Sequence, residues 1–166
     1  EESMWVAAPS VVGMAEWESV LQAVQTALGG DAVEGRRLMQ AAWDGTDEDD
    51  HAMRCVLAHY LADVQDTLDD EIRWDESALR DFPYVADDEL AAIGIAAAAG
   101  LAPSLHLNLG DGYLRRGDLA ASRGQQEAGT AAPGALGDDG YAQLIRQGLE
   151  RLGERLRLPE HADVER

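Results

Sequence analysis

The sequence predicts an all-α protein, and three observations lead to this prediction. Alanine occupies 28 of the 166 positions and phenylalanine only one, a composition that favours helices over a sheet-dominated core. Apolar residues recur at three- and four-residue spacing, and no segment alternates apolar and polar residues as strands do. A chain of this length fits one domain with a real core. We therefore expect a single helical domain over residues 1–166, with helices between about 14 and 158 and a loose tail at 159–166.

Apolar stripes and stop signals define the first three helices. The first ends at Gly29-Gly30, because paired glycines do not continue a helix. Asp31 caps the second, which ends at the Asp44-Gly45 turn. The stripe of the first helix comprises Met14, Trp17, Leu21, Val24 and Leu28. The stripe of the third comprises Met53, Leu57, Tyr60, Leu61 and Val64.

Five further helices are predicted in the rest of the chain. A fourth, over about residues 68–80, is interrupted by Pro83, and acidic residues then open an alanine-rich fifth helix over residues 87–100. The sixth and seventh meet at the Gly-Asp pair 117–118, and the eighth spans about residues 138–158. The stripe of the eighth comprises Tyr141, Ile145, Leu149, Leu152 and Leu156. Short connections favour antiparallel neighbours, which leaves a closed bundle and a solenoid of stacked hairpins as alternatives.

One segment of the C-terminal half carries a motif. Leu-Gly at 109–110 is followed by Tyr113, three residues after the glycine, and by Gly-Asp at 117–118. This segment resembles the tetratricopeptide repeat of helical-repeat proteins, including those of bacteria. Small residues at Ser122 and Gly129 fall where that family packs its second helix closely. Two closely crossing helices need such short side chains where their backbones approach.

Two earlier segments resemble the same repeat. Aligning the chain on Ala23, Ala58 and Gly110 gives separations of 35 and then 52 residues. The first separation is close to the period of such repeats, about 34 residues. The second leaves room for an inserted helix, for which residues 87–100 are the candidate.

The resemblance implies an α-solenoid of antiparallel helical hairpins, with the last helix as an amphipathic C-terminal cap and Tyr113 between the helices of its repeat. In this family the first helix of each hairpin lines a concave groove. The groove positions carried over onto this chain are Cys55, His59, Asp63, Asn108, Asp111 and Arg115. The resemblance therefore implies a non-catalytic interaction protein that binds a peptide or protein partner in a polar, mainly acidic groove.

The charge distribution limits the class of partner that the chain can be expected to bind. The formal net charge is -19, and the stretch 44–89 holds 16 acidic and 3 basic residues. Nucleic acid needs a basic face, so we expect no nucleic-acid partner. Many of these carboxylates fall at predicted helix starts, where they complement the helix dipole. The excess would still attract a partner with basic groups.

Four residues of the third helix form a ladder with chemical potential: His51, Cys55, His59 and Asp63 follow one another at four-residue intervals. At 100° per residue, Cys55 and His59 project opposite the apolar stripe, so we expect them to face the groove instead of the main core. Imidazole and thiolate at this spacing could chelate zinc, or act as a nucleophilic pair. Further ligands and an oxyanion hole have no sequence-defined candidates. We therefore expect no metal, no cofactor and no catalysis.

Two other functions remain open. A metal- or small-molecule-binding helical protein could use His59, Cys55, Asp63 and His106. A regulatory or assembly subunit could instead act mainly by self-association. Metal analysis of the purified protein tests the first alternative. The mass of the protein in solution tests the second.

Cysteine usage and hydropathy both favour a cytoplasmic location. The single cysteine, Cys55, cannot form an intramolecular disulfide, which favours a reducing environment. The longest apolar run, residues 90–103, is too short to cross a bilayer as a helix. We expect a cytoplasmic protein without a membrane partner.

Overall fold

The computed structural model describes residues 11–95, 97–132 and 140–158, with side chains described from residue 16. Helix is the only regular secondary structure in these ranges, which confirms the all-α prediction. The seven α-helices are α1 Val11–Leu28, α2 Ala32–Asp44, α3 His51–Ala62, α4 Leu68–Asp81, α5 Ala102–Arg116, α6 Leu119–Ala131 and α7 Gly140–Leu156. The expected tail at 159–166 and the side chain of Met14 lie outside the described part.

Helix ends follow the chemistry of their caps. Asp31 accepts a hydrogen bond from the Glu34 amide at 3.0 Å, as expected for the start of α2. Thr67 does the same for the Asp70 amide at 3.1 Å, which fixes the start of α4. Gly117 ends α5 in the left-handed region, at φ 92°, a conformation that favours glycine.

The predicted alanine-rich helix at 87–100 is wrong. The described part of this segment forms two short 3₁₀ turns, Ala91–Ile93 and Ala98–Leu101. Gly94 interrupts the alanine run in the left-handed region, at φ 83°, and Leu90 is fully buried in the core. The segment therefore lies against the helices as a series of turns, and burial of Leu90 outweighs the helix propensity of alanine.

Helices pack mainly against their neighbours in the chain. The closest pairs are α1 with α2, α3 with α4, and α5 with α6, each joined by a short connection. The α4–α5 contact joins the second and third pairs, and α7 packs on both α5 and α6. The larger hydrophobic cluster extends from α1 to the first turns of α5. A smaller cluster, defined by Leu114, Leu119, Leu152 and Leu156 with Leu107 against it, joins α5, α6 and α7.

Most described residues of two predicted stripes pack inward, including Val24 in α1 and Leu149, Leu152 and Leu156 in α7, but one end residue of each stripe does not. Leu28 in α1 is 71% exposed, whereas Val20 and Ala23 are buried, because α2 approaches so closely that Gly35 lies directly on Ala27. Tyr141 in α7 is 54% exposed, and Ala142 takes the buried place. The Tyr141 hydroxyl instead hydrogen-bonds Ser104 of α5.

The crossing of α5, α6 and α7 depends on small residues. A Cβ on Gly110 would lie 2.8 Å from Cδ2 of Leu152 and 3.2 Å from Cβ of Gln125. Ser122 is fully buried and donates to the Gly110 carbonyl at 2.7 Å. A Cβ on Gly129 would lie 2.8 Å from Leu149. Backbones therefore approach closely at the small residues singled out in the sequence.

Tyr113 differs from its expected place between α5 and α6. Its hydroxyl donates to Glu76 of α4 at 2.7 Å, and the Arg116 guanidinium lies 5.3 Å from its ring centroid. Burial and the Glu76 carboxylate raise the pKa of this phenol to about 12. Tyr113 thus joins its own helix to the preceding hairpin.

Candidate functional site

A cavity of about 400 Å³ opens where α3 ends and α4, α5 and α7 meet. Its lining residues are Asp63, Glu71, Leu107, Asn108, Asp111, Gly148, Arg151, Leu152 and Arg155. Leu107 and Asn108 precede Asp111 in α5 by four and three residues, so each shares a helix face with it. The approach of α7 needs Gly148, where a Cβ would lie 2.6 Å from Cδ2 of Leu107.

Three residues of the predicted groove line this cavity: Asp63, Asn108 and Asp111. Arg115, a fourth, lies beside it. Its Nε donates to Oδ2 of Asp111 at 2.8 Å, and Nη1 donates to Oε2 of Glu71 at 3.1 Å while Nη2 contacts the other Glu71 oxygen. The structure therefore brings four of the six predicted residues to one place, drawn from two helical pairs.

Cys55 does not line the cavity, which corrects its predicted place in the groove. Its side chain is 0% exposed and belongs to the larger cluster. Burial, with a smaller contribution from Asp81, raises the pKa of the thiol to about 12, so the thiolate that a nucleophile or metal ligand needs is disfavoured. The reason is that α3 is packed on more than one side, by α1, α2 and α4.

His59 is also almost fully buried, at 9% exposure, whereas the sequence predicted an open position in the groove. Its Nδ1 lies 3.5 Å from Nδ2 of Asn108, which reaches the cavity from the other side. Burial lowers the pKa of the imidazole to about 4, so the ring is neutral near pH 7. His59 therefore supports the cavity from behind, through Asn108.

The described residues offer no set of ligands for the metal-binding alternative. Within residues 11–95, 97–132 and 140–158, no three His, Cys, Asp or Glu side chains are grouped as a metal site. His106 is turned to α6, where its Nδ1 lies 2.8 Å from Oε1 of Gln125. His51 contacts Asp81 at 2.8 Å and stacks on Tyr84. His51, His59, His106 and Cys55 are thus held in separate contacts.

Guanidinium groups neutralise much of the acidic lining. Asp111 is contacted on both oxygens, by Arg115 and by Nη1 of Arg155 at 2.8 Å. Arg151 donates to Gln147 at 3.3 Å. Asp63 forms no ion pair within the described residues, and burial together with nearby Glu71 raises the pKa of its carboxyl. Asp63 is therefore the lining carboxylate most open to a cation from outside.

Asp75 of α4 is a further acidic residue that the sequence did not single out. It is 2% exposed, and its Oδ1 has no hydrogen-bond partner among the described residues. Burial raises the pKa of its carboxyl to about 8; Asp63, Glu71 and Asp111 add to this, and Arg115 opposes it. The groups that act on Asp75 are thus those in and beside the cavity. Its position between Ile72 and Ala78, at helical spacing on the buried face, was the signal in the sequence.

No protein-family model matches the chain, and no curated protein or solved structure shows significant similarity to it. None of the helices in the described ranges has the length and apolar character needed to cross a membrane.

Proposed function

We propose that the chain is a non-catalytic interaction protein that binds a segment of a peptide or protein in this cavity. In this proposal α1–α6 are three tetratricopeptide-like hairpins of a short α-solenoid, and α7 is its cap. Two observations support the repeat assignment: contacts run mainly between neighbours in the chain, and the small residues Gly110, Ser122 and Gly129 lie at close helix crossings.

One observation carries the proposal: Asp63, Asn108 and Asp111, singled out from the sequence as groove residues on two different hairpins, line one open cavity. Leu107 and Leu152 add apolar surface next to these polar groups. A cavity of this volume with mixed lining suits one or two side chains of a bound segment. Burial of Cys55, with its raised thiol pKa, argues against the nucleophilic alternative.

The partner in this proposal presents a basic group to Asp63. This carboxylate has no internal ion pair among the described residues, and the stretch 44–89 around it is strongly acidic. A cation would thus be attracted at long range and find one open carboxylate at short range. At physiological ionic strength, charges beyond about 8 Å are largely screened, so the wider acidic surface mainly speeds encounter.

The test is selection of short random peptides against the immobilised protein, followed by measurement of the dissociation rate of each selected peptide. We expect peptides rich in Arg or Lys. Asp63→Ala should raise their dissociation rate about fivefold or less, since removal of one exposed charge contact costs up to about 1 kcal/mol.

The matched control is Asp49→Ala, which removes one charge from the exposed connection between α2 and α3. It should leave the dissociation rate unchanged. Selected peptides that respond equally to both substitutions, or to neither, would contradict binding at the cavity. The tagged protein can then be used to capture partners from its native cell extract, with Asp63→Ala as the negative comparison.

A further inference from the structure

A buried carboxyl group, that of Asp75, lies in α4 one helical turn after Glu71, which lines the cavity. Asp75 sits on the buried face of α4, beside Ile72, and its Oδ1 accepts no hydrogen bond within the described residues. An unpaired buried acceptor costs free energy, and an unpaired buried charge costs far more. The folded protein therefore favours the protonated acid at this position, because the neutral form avoids the larger cost.

The surrounding charges act in the same direction. Asp63 at the end of α3, Glu71 one turn before Asp75 in α4, and Asp111 in α5 all disfavour a further negative charge. Arg115 of α5 favours the charged form, but this guanidinium is already shared between Glu71 and Asp111. One more positive charge near these carboxylates would change the balance at Asp75.

We propose that the cavity exchanges the proton of Asp75 for an organic cation, the guanidinium or ammonium group of a bound arginine or lysine. The cation enters beside Asp63, and the Asp75 carboxyl loses its proton to solvent, so that one positive charge replaces another. This inference rests on the proposed function and specifies its ligand. It also makes binding depend on pH near neutrality, because burial and the three carboxylates raise the pKa of Asp75 to about 8.

An organic cation fits the cavity better than a metal ion. The described residues hold no group of three metal-ligating side chains. Two guanidiniums also line the cavity, but Arg155 is paired with Asp111 and Arg151 contacts Gln147. The cavity otherwise offers one open carboxylate, the amide of Asn108 and the apolar side chains of Leu107 and Leu152. This combination suits the charged head and the methylene stem of a long basic side chain.

The experiment uses N-acetyl-arginine amide, which stays charged throughout, and the full chain labelled with ¹³C. The carboxyl-carbon shift of Asp75 is followed from pH 5 to 10 with and without saturating probe. We expect the probe to lower the apparent pKa of Asp75, and its affinity to rise about three- to tenfold between pH 6.5 and 9, as expected for two opposite charges in partial contact with water.

Two variants make the test specific. Asp75→Asn keeps the shape of the side chain but has no proton to release, so the affinity should lose its dependence on pH in this range. Asp69→Asn removes one exposed charge from the same helix, away from the cavity, and should keep the dependence. Circular dichroism of both variants checks that they are folded.

The outcomes separate this inference from the proposed function. An Asp75 that titrates below pH 5, a probe that binds without moving its titration, or an Asp75→Asn variant that retains the pH dependence would each overturn the exchange. A protein that binds selected peptides at the cavity but ignores the arginine probe would keep the proposed function and lose the inference. If the probe displaces the proton but selection returns no peptide, the exchange at Asp75 is supported and peptide binding at the cavity is contradicted.

Discussion

The two ends of the molecule are stabilised in different ways. From α1 to the start of α5, large side chains such as Met39, Leu57, Leu61 and Ile72 are fully buried, and all but Ile72 belong to one continuous cluster. At the junction of α5, α6 and α7 the apolar cluster is small, and glycine contacts and ion pairs accompany it. The first region gains stability chiefly from apolar burial, whereas the second depends on close backbone approach.

The two regions should therefore be sensitive to opposite kinds of substitution. A cluster of large side chains loses stability when a side chain is shortened, because a void remains. A crossing built on glycine loses stability when a side chain is lengthened, because there is no room for it. Four predictions test this contrast, in decreasing order of their effect on stability.

The largest effect is expected in the larger cluster. Leu61 is fully buried, so Leu61→Ala should lower the free energy of unfolding by about 2–5 kcal/mol, measured by urea denaturation. Leu28→Ala, at an exposed leucine of α1, should change it by no more than about 0.5 kcal/mol. Similar losses for the two variants would contradict the assignment of the core.

The second prediction concerns the glycine crossing. Gly110→Leu should lower the free energy of unfolding by about 1–3 kcal/mol, because its first added carbon already meets Leu152 and Gln125. Gly124 in α6 has open space around it, so Gly124→Ala should stabilise the protein by roughly 0.5–1 kcal/mol. Hydrogen exchange should place the loss from Gly110→Leu in α5–α7. An unchanged melting temperature for Gly110→Leu would contradict the close helix crossing at Gly110.

A third prediction uses the buried imidazole of the first region. Because burial lowers the pKa of His59 to about 4 in the folded protein, from 6.5 in the unfolded chain, the unfolded chain binds the proton more tightly. The stabilisation is present above pH 6.5 and is lost as the pH falls towards 4, by roughly 1 kcal/mol between pH 6.5 and about 5.5. His59→Gln should remove this slope from urea titrations, and His51→Gln should retain it. Equal slopes in the two variants would show that His59 is accessible to solvent.

The smallest effect is expected for the ion pair that ties α7 to α5. Arg155→Gln breaks the contact with Asp111, and this half-exposed pair should contribute no more than about 1 kcal/mol. The loss should shrink in high salt. Arg151→Gln, on the same helix but without an ion pair among the described residues, is the matched comparison. A larger loss of stability for Arg151→Gln than for Arg155→Gln would contradict a stabilising role for the Arg155–Asp111 pair.

Helix positions could be predicted from the sequence, because apolar spacing and caps such as Asp31 are local signals. Burial around α3 could not. A helical projection assigns one buried side, whereas α3 is packed by several helices, so Cys55 and His59 are enclosed despite lying opposite the stripe. The turns around Leu90 were missed for a similar reason, since burial of one leucine depends on the tertiary structure.

The candidate site was predictable only in part. Asp63, Asn108 and Asp111 were placed by the resemblance to a repeat, which supplies the facing positions of two hairpins. Arg151 and Arg155 were missed, because the same resemblance treats the last helix as a cap and assigns it no place in the groove. Asp75 was overlooked among many surface carboxylates of the stretch 44–89, although its spacing within α4 matched the buried face.

The order of helix packing has a consequence for how the chain reaches this structure. Because each helix packs mainly on its neighbour in sequence, most native contacts join residues close together along the chain, a topology of low contact order. Refolding of such chains takes on the order of milliseconds or less. The α3–α4 hairpin holds much of the larger cluster, so we expect it to form the folding nucleus and α6 and α7 to pack last. The cavity, whose lining includes Leu152 and Arg155 of α7, would then be complete only at the final step of folding.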